Sequence, residues 1–284
     1  MGRVEGKVAL ITGAARGQGR SHCVRLAEEG ADIIAVDICE QIETNTYPMA
    51  TPEDLEMTVK EVEALGRRII ARKADVRDRD QLAAVIDEGV AELGHLDVVV
   101  ANAGICPTGN QDIQAFFDTI DVDFMGVQNA IAASMKHLQD GASIVITGST
   151  AAMMPNTMTT PESGAGGAGY GLAKQMLMRY TEVLALKLAP RFIRVNAILP
   201  TNVNTHLIHQ QSIYDSFRPD LERPVSREDA EVAFVAFQAM PIPYVEPIDI
   251  SHTVLYFASD ETRYVTGSIH RVDAGSMLQA PTFG

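Results

Sequence analysis

Short apolar runs alternate with longer amphipathic stretches along most of this 284-residue chain. The stretch from Leu82 to Leu93 places Val85, Ile86 and Val90 on the same stripe at helical spacing. The apolar runs are continuous and rich in Val and Ile, as in strands that are buried on both faces of a parallel sheet. They cover residues 7–12, 32–37, 68–75, 96–101, 142–147 and 192–199. We therefore predict a doubly wound α/β fold with helices on both faces of a parallel sheet.

No repeat, low-complexity tail or linker divides the chain, so residues 1–284 are predicted to form one domain. Two irregular regions interrupt the alternation. Residues 38–51 form a long insertion where such folds usually have a short connection. Residues 205–245 contain scattered apolar positions and no strand pattern, which favours a flexible substrate lid over an inert excursion. The sequence from Thr51 to Asp54 carries an N-cap, a proline and acids, and predicts a helix start.

Composition excludes several classes of protein. A net charge of −14 without a Lys/Arg cluster argues against nucleic-acid binding. No segment reaches the roughly 18 apolar residues that a membrane span requires, and the N-terminus lacks a signal peptide. Cys23, Cys39 and Cys106 are far apart, which indicates buried thiols in a reducing compartment. We therefore expect a cytoplasmic protein.

A metal site is disfavoured. His206 and His209 lie three positions apart in the predicted lid, but no third ligand is spaced to join them. We predict no metal.

A glycine-rich turn follows the first predicted strand. Gly13, Gly17 and Gly19 are spaced G-x-x-x-G-x-G between that strand and the first helix. Glycines permit a tight turn and let a pyrophosphate approach the backbone N–H groups at a helix N-terminus. The strand–turn–helix context is the one that a dinucleotide site requires.

The second strand ends in Asp37, about twenty residues beyond the glycines. A carboxylate there can accept a hydrogen bond from a ribose 2′-hydroxyl and would repel a 2′-phosphate, which favours NAD over NADP. The alternative is that Asp37 only begins the following loop. Asp75-Val76 and Asn102-Ala103-Gly104 end the next two strands, on the side where such sheets bind ligands.

Tyr170 and Lys174 lie four positions apart, so they share one face of a helix. A Tyr-x-x-x-Lys match alone is weak. Here it follows the fifth strand, and Ser149 precedes it. With these residues in order, the chain resembles the short-chain dehydrogenase/reductase family along essentially its whole length. The motifs that carry the resemblance are Thr12-Gly13-x-x-x-Gly17-x-Gly19, Asp75, Asn102-Ala103-Gly104, Ser149 and Tyr170-x-x-x-Lys174.

Further segments are similar to the mycofactocin-associated, carveol-dehydrogenase-like branch of that family. They are GAARGQGRSH, the insertion with YPMATPEDL, PTNVNT, VEPIDIS and YVTGSIHRVDAG. The resemblance implies a Rossmann-type sheet of about seven strands and an alcohol dehydrogenase. It also implies that NAD exchanges poorly with solution and that mycofactocin, a redox peptide cofactor, accepts its electrons. A homotetramer is implied, assembled through the helices that carry Asp123 and Tyr170.

The resemblance assigns a role to each matched residue. Hydride would pass between an alcohol carbon and the nicotinamide C4, with Tyr170 as general base in oxidation and general acid in reduction. Lys174 would favour the phenolate and hydrogen-bond the nicotinamide ribose. Ser149 would hold the substrate oxygen. The remaining expected cofactor contacts are Arg16, Gln18, Ile38, Asp75, Val76, Pro200, Thr201, Val203 and Thr205.

Three positions depart from the family pattern. Asp123 stands where relatives often have the Asn of a DVNxxG pattern that supports a water next to the lysine. Asp123 can accept a hydrogen bond from such a water but cannot donate one. Pro200-Thr201 replaces the usual Pro-Gly, as it does in the mycofactocin-associated branch. The gap from Ser149 to Tyr170 is 21 residues, longer than the family's common spacing.

That longer gap predicts an expanded, mobile loop over residues 153–169, with the glycines before Tyr170 as its tail. Met153, Met154 and Met158 are expected to line an apolar pocket. Such a pocket favours a lipophilic secondary alcohol or ketone as substrate. Two alternatives stay open: an ordinary dehydrogenase with freely exchanging NAD, and a non-catalytic NAD-binding regulator, which the departure at Asp123 allows.

Overall fold

One parallel sheet of seven strands organises the protein. The computed structural model describes residues 2–154 and 158–279. The strands are β1 Val8–Thr12, β2 Asp32–Asp37, β3 Ile69–Lys73, β4 Leu96–Ala101, β5 Leu138–Thr147, β6 Arg194–Pro200 and β7 Ile269–Val272. Their order in the sheet is β3-β2-β1-β4-β5-β6-β7, and every pairing is parallel. This arrangement confirms the predicted fold class.

Helices cover both faces of the sheet. The α-helices among the described residues are α1 Gly17–Glu28, α2 Pro52–Ala64, α3 Arg79–Leu93, α4 Ile113–Ile120, α5 Gly126–Ser134, α6 Gly164–Leu188, α7 Gln211–Phe217, α8 Arg227–Phe237, α9 Pro247–Ala258 and α10 Ser276–Gln279. A π-helical turn at Asp121–Met125 joins α4 to α5. One apolar layer includes Leu82 and Leu177, and the other includes Leu26 and Phe257.

Two helix predictions are confirmed. Helix α2 begins at Pro52, and Thr51 and Asp54 form a reciprocal capping box at its start. The stripe from Leu82 to Leu93 lies on α3, with Leu82 and Ile86 fully buried.

The prediction that all strands are buried on both faces is wrong for β3. This strand is at the edge of the sheet, pairs only with β2 and is half-buried to exposed along its length. Its last two residues carry charges that pair with neighbouring acids, Arg72 with Glu88 and Lys73 with Glu40. An edge strand has a neighbour on one side only, so polar side chains are tolerated there.

The glycines before Tyr170 belong to helix α6 and not to the tail of a loop, so that prediction is wrong. A Cβ at Gly166 would lie 2.3 Å from the Pro107 carbonyl oxygen, and one at Gly169 would lie 2.8 Å from the Phe116 carbonyl oxygen. The glycines therefore let α6 pack closely on α4 and on the segment after β4. Part of the predicted expanded loop, residues 155–157, lies outside the described residues.

The insertion at 38–51 is irregular but packed. Ile42, Tyr47 and Ala50 are buried, and Ile42 joins one of the two main apolar layers. The region 205–245 contains the helices α7 and α8. Its own small apolar cluster includes Ile213 and Phe234 and is separate from the two main layers. The lid region is therefore a small folded unit beside the sheet.

The three cysteines pack as small buried side chains, as predicted, and all three are free thiols. Burial raises the pKa of the Cys39 thiol and that of the Cys106 thiol to about 12. Across residues 2–154 and 158–279, no helix has the length and apolar character needed to cross a bilayer.

Candidate active site

A cleft of about 160 Å³ opens at the carboxyl ends of the strands, where the strand order reverses between β1 and β4. Ligands of open α/β sheets bind at this position. The cleft brings together most of the predicted cofactor contacts. They are Gly13, Arg16, Gly17, Gln18, Gly19, Asp37, Ile38, Asp75, Val76, Asn102, Ala103, Gly104, Tyr170, Lys174 and Thr205.

The glycine turn presents backbone and not side chains to the cleft. A Cβ at Gly19 would lie 1.9 Å from the Gly13 carbonyl oxygen, so no larger residue fits there. Helix α1 begins at Gly17, and its first N–H groups have no partner within the helix. The side-chain oxygen of Gln18 is buried and has no hydrogen-bond partner among the described residues. These features fit a ligand that carries a pyrophosphate together with hydroxyl or amide donors.

Asp37 does more than begin a loop. Its carboxylate accepts hydrogen bonds from the Ala15 N–H at 2.9 Å and from the Cys39 N–H at 3.1 Å. It therefore ties the glycine turn to the start of the insertion. A carboxylate held in this buried position disfavours a second negative charge beside it.

Other strand ends are fixed by local hydrogen bonds. The N–H groups of Asn102 and Ala103 donate to the Thr12 hydroxyl at 3.0 and 3.1 Å. The Thr147 hydroxyl donates to the Asn102 side-chain oxygen at 3.2 Å, so β1, β4 and β5 are connected at one edge. Asp75 faces the cleft, and its carboxylate is paired with Arg77 at 2.6 Å.

Tyr170 and Lys174 lie one turn apart on α6, with the Lys174 ammonium 5.4 Å from the centre of the Tyr170 ring. Lys174 is buried, and its Nζ donates to the Thr147 carbonyl oxygen at 3.2 Å. Tyr170 keeps partial exposure toward the cavities, yet the surrounding protein raises its pKa well above the usual value. Desolvation is the main cause, Cys106 adds to it, and a hydrogen bond with Ser149 opposes it.

Asp123 contacts Lys174 directly. Its Oδ2 lies 3.1 Å from the Lys174 Nζ as an ion pair, and its Oδ1 accepts a hydrogen bond from the Ile105 N–H at 2.8 Å. The π-helical turn carries Asp123 and places its side chain in the interior, where it is fully buried. Burial raises the pKa of Asp123, and Lys174 opposes that shift.

A second cavity of about 690 Å³ adjoins the cleft. Tyr170 lines both, so its phenol lies at their junction. Ser149 lines the larger cavity. Pro200, Thr201 and Val203, at or just beyond the end of β6, also line it and do not line the cleft. Other residues that line it include Met154, Met158, Ile208, Ile213, Phe217 and Phe237.

The methionine prediction is confirmed for Met154 and Met158 and wrong for Met153. Met153 is 45% exposed and is not among the residues that line the cavity. It belongs to a short 3-10 helix whose other residues are buried, so its side chain is on the outer side.

Sequence reasoning predicted Ile38 from the insertion and Thr205 from the lid, but missed the other residues that these two segments contribute to the cleft. Tyr47 and Met49 line it from the insertion, and His206 and Leu207 from the lid. The only sequence signal was the position of two unusual segments after β2 and β6. The contact between the insertion and the lid joins segments far apart in the chain, and no local sequence pattern predicts it.

Hydrogen bonds join these two segments to each other and to the core. The Thr46 hydroxyl donates to the Gln210 side-chain oxygen at 2.6 Å, and the Gln210 amide donates to the Cys106 carbonyl oxygen at 3.0 Å. The Arg16 guanidinium donates to the Pro48 carbonyl oxygen. The insertion and the lid thus meet beside the cleft.

Both ring nitrogens of His209 have hydrogen-bond partners, one inside the lid and one just before it. Its Nδ1 lies 2.9 Å from the Tyr214 hydroxyl, and its Nε2 lies 2.7 Å from the Asn204 side-chain oxygen. His206 instead lines the cleft. In the described ranges no three His, Cys, Asp or Glu side chains are grouped as metal ligands would be.

Comparisons with known proteins agree with this arrangement. Residues 7–213 match the short chain dehydrogenase family. The (-)-trans-carveol dehydrogenase of Rhodococcus erythropolis is 44% identical over 286 residues, covering 98% of this chain and 100% of the relative.

Two solved structures are similar over nearly their whole length. Carveol dehydrogenase from Mycobacterium avium in complex with NAD has a TM-score of 0.91 at 44% identity, covering 98% of this chain and 100% of that chain. A short chain dehydrogenase from Mycobacterium paratuberculosis bound to NAD has a TM-score of 0.85 at 37% identity, with the same coverage. The protein therefore belongs to the short-chain dehydrogenase family.

Proposed function

We propose that the protein is an NAD-dependent dehydrogenase that interconverts a lipophilic secondary alcohol of carveol or terpenoid type and its ketone. The observation that carries the proposal is the position of Tyr170, at the junction of a dinucleotide-type cleft and a large apolar cavity. The carveol dehydrogenases that the chain resembles support the same substrate class.

NAD is proposed as the cofactor in preference to NADP. The fixed carboxylate of Asp37 supports this choice, and the two solved neighbours were determined with NAD. Gly13, Gly17 and Gly19 would hold the pyrophosphate, and Lys174 would hydrogen-bond the nicotinamide ribose. NAD, when bound, supplies the hydride acceptor or donor at the nicotinamide C4.

The side chains at the junction perform the proton chemistry. The Ser149 hydroxyl would hold the substrate oxygen. Tyr170 would take the alcohol proton during oxidation and return it during reduction. Because surrounding protein raises the pKa of Tyr170, the phenolate needs a nearby positive charge to act as a base at moderate pH.

The larger cavity supports a lipophilic substrate. Methionine, isoleucine and phenylalanine side chains line much of it. Glu162 also lines it, whereas no Lys, Arg or His is among its described lining residues. A carboxylate substrate would therefore lack a cationic partner.

We further propose that the bound NAD exchanges slowly and that mycofactocin accepts its electrons. The insertion and the lid support slow exchange, because both line the cleft and a Thr46–Gln210 hydrogen bond joins them. Release of the cofactor would require these segments to separate. The alternative is an ordinary dehydrogenase that uses freely exchanging NAD.

The decisive test of the reaction is Tyr170→Phe. We expect it to abolish reduction of bound NAD by carveol, by at least about 100-fold, because the phenol proton acceptor is lost, while NAD stays bound. Tyr180→Phe is the matched control, since Tyr180 lies on the same helix and packs on Phe124. Undiminished turnover by Tyr170→Phe would refute the assigned role. The alternative that the protein is a non-catalytic NAD-binding regulator would be favoured if the wild type binds NAD but oxidises none of a panel of terpenoid and other secondary alcohols.

Cofactor exchange has its own test. Denaturing the purified protein should release stoichiometric NAD(H), and turnover should require an artificial electron acceptor. Thr46→Val should speed NAD release because it removes the bond to the lid. Thr44→Val should not, since Thr44 bonds Asp118 on α4. Steady turnover with added NAD alone would contradict slow exchange.

We also propose a cytoplasmic homotetramer. Exposed apolar side chains on α4, the π-helical turn and α6 support an assembly between copies of this chain: Ile113, Phe117, Met125, Leu172, Val183 and Leu186. Light scattering on the purified protein tests it, and a monomer at micromolar concentration would contradict it.

A further inference from the structure

The Asp123–Lys174 ion pair differs from the other ion pairs in the described parts of the chain because both its side chains are almost wholly buried. Their side-chain exposures are 0% and 4%, whereas the pair Arg25 with Glu29 has 18% and 20% and the pair Arg67 with Asp32 has 24% and 7%. A buried ion pair costs desolvation on both sides and adds little stability, so its presence at the candidate active site calls for a chemical explanation.

The surroundings hold both members in place. The Ile105 N–H donates a hydrogen bond to one carboxylate oxygen of Asp123, and the Lys174 ammonium donates one to the Thr147 carbonyl oxygen. Gly104 lies against the pair, and a Cβ there would be 2.9 Å from the Asp123 Oδ2. The geometry is therefore specific to this pair, and neither charge can turn toward solvent without rearranging the strand ends.

As an ammonium and a carboxylate, the two members of the pair together carry no net charge. This matters because the Lys174 ammonium is 5.4 Å from the Tyr170 ring, where a lone positive charge would favour the phenolate. The Asp123 carboxylate opposes that effect, since a nearby negative charge disfavours ionisation of the phenol.

The other groups that face Tyr170 do not change this balance. Cys106, from the segment after β4, and Tyr47, from the insertion, are both titratable, and burial raises the pKa of each. Both therefore stay neutral at moderate pH. Ser149 contributes a hydrogen bond and no charge. Glu162 lines the same cavity as Tyr170, and Arg16 and His206 line the same cleft, but among the described residues the charged groups seen to act on the Tyr170 ring directly are Asp123 and Lys174.

We propose that Asp123 is a positioning residue that neutralises Lys174 and thereby keeps Tyr170 protonated until alkaline pH, biasing the site toward ketone reduction at moderate pH. The bias toward ketone reduction rests on the proposed function. The effect of Asp123 on the ionisation of Tyr170 does not depend on the substrate.

The experiment compares Asp123→Asn with wild-type holoenzyme. Bound NAD is reduced by carveol in a single turnover across a pH series. Removing the carboxylate should move the acidic limb of the rate profile to lower pH by about one unit, so that oxidation at a pH below the wild-type limb rises by up to about tenfold. Asp121→Asn is the matched control, because Asp121 is on the same π-helical turn but is exposed. The acidic limb of the rate profile of this variant should stay where it is in the wild type.

A second readout does not depend on turnover. The phenolate absorbance of the holoenzyme is titrated for wild type, Asp123→Asn and Asp123→Ser, each against the same protein carrying Tyr170→Phe, so that the difference reports Tyr170. We expect Tyr170 to ionise at lower pH in both variants. Absence of a shift in both overturns the inference, even if carveol oxidation is normal. A shift without any carveol turnover supports the inference and counts against the proposed substrate instead.

Discussion

The cofactor cleft and the substrate cavity meet at Tyr170, but they are built differently. At the strand ends the cleft is lined by backbone at close approach, as at Gly19, where even a methyl group has no room. The cavity is formed by side chains from the segments after β5 and β6, such as Met158 and Phe217. A wall made of backbone atoms keeps its shape when residues are exchanged, whereas a wall made of side chains changes its shape with each substitution. Changes to the cleft should therefore have larger effects on ligand binding than changes to the cavity.

The largest effect is expected from Gly19→Ala. The added Cβ would lie 1.9 Å from the Gly13 carbonyl oxygen, so the turn must shift. We expect a cost of about 3 kcal/mol and a loss of NAD affinity of about 100-fold. Bound nucleotide in the purified variant and its thermal unfolding would measure both.

Gly66→Ala is the control for this change. Gly66 has a positive φ of +73°, but apart from its two chain neighbours no atom of the described residues lies within 4 Å of the place that an added Cβ would occupy. It should lose about 1 kcal/mol of stability and keep its NAD. Equal nucleotide loss in the two variants would contradict a backbone-built cleft.

Asp37→Ser should have the next largest effect. It removes the carboxylate that faces the cleft, so NAD affinity should fall by about 10- to 100-fold while NADP affinity rises. Equilibrium dialysis against each nucleotide measures the change in preference. Glu40→Gln is the control, since Glu40 is exposed and pairs with Lys73. A variant with an unchanged preference for NAD would remove Asp37 from cofactor selection.

The smallest effect is expected from Met158→Ala on the cavity side. Loss of an apolar wall should raise the KM for carveol by up to about tenfold and improve bulkier alcohols, with NAD retention unchanged. Met153→Ala should leave KM as it is, because Met153 points outward. Loss of bound NAD in Met158→Ala would show that the two regions are not independent.

The difference between the cleft and the cavity also explains which parts of the site could be predicted from the sequence. The strands, the glycine turn and the residues at strand ends follow from local pattern, and β1, β2 and β4 carry them to one edge of the sheet. The contact between Thr46 and Gln210 spans 164 positions and depends on two loops whose shapes no local pattern fixes. The exposure of β3 depends on its place at the edge of the sheet, and the outward orientation of Met153 depends on the rotation of one short 3-10 helix. Neither can be read from a local sequence pattern.

The glycines at the start of α6 have a consequence for engineering. Glycine in a helix is less favourable than alanine by about 1 kcal/mol per residue, and replacing it is a common route to thermostability. At Gly166 and Gly169 that route is closed, since an added methyl group would meet carbonyl oxygens at 2.3 and 2.8 Å. The close packing of the turn that carries Tyr170 thus excludes alanine at these two positions. Stabilising substitutions are better sought on the exposed faces of α2 or α8.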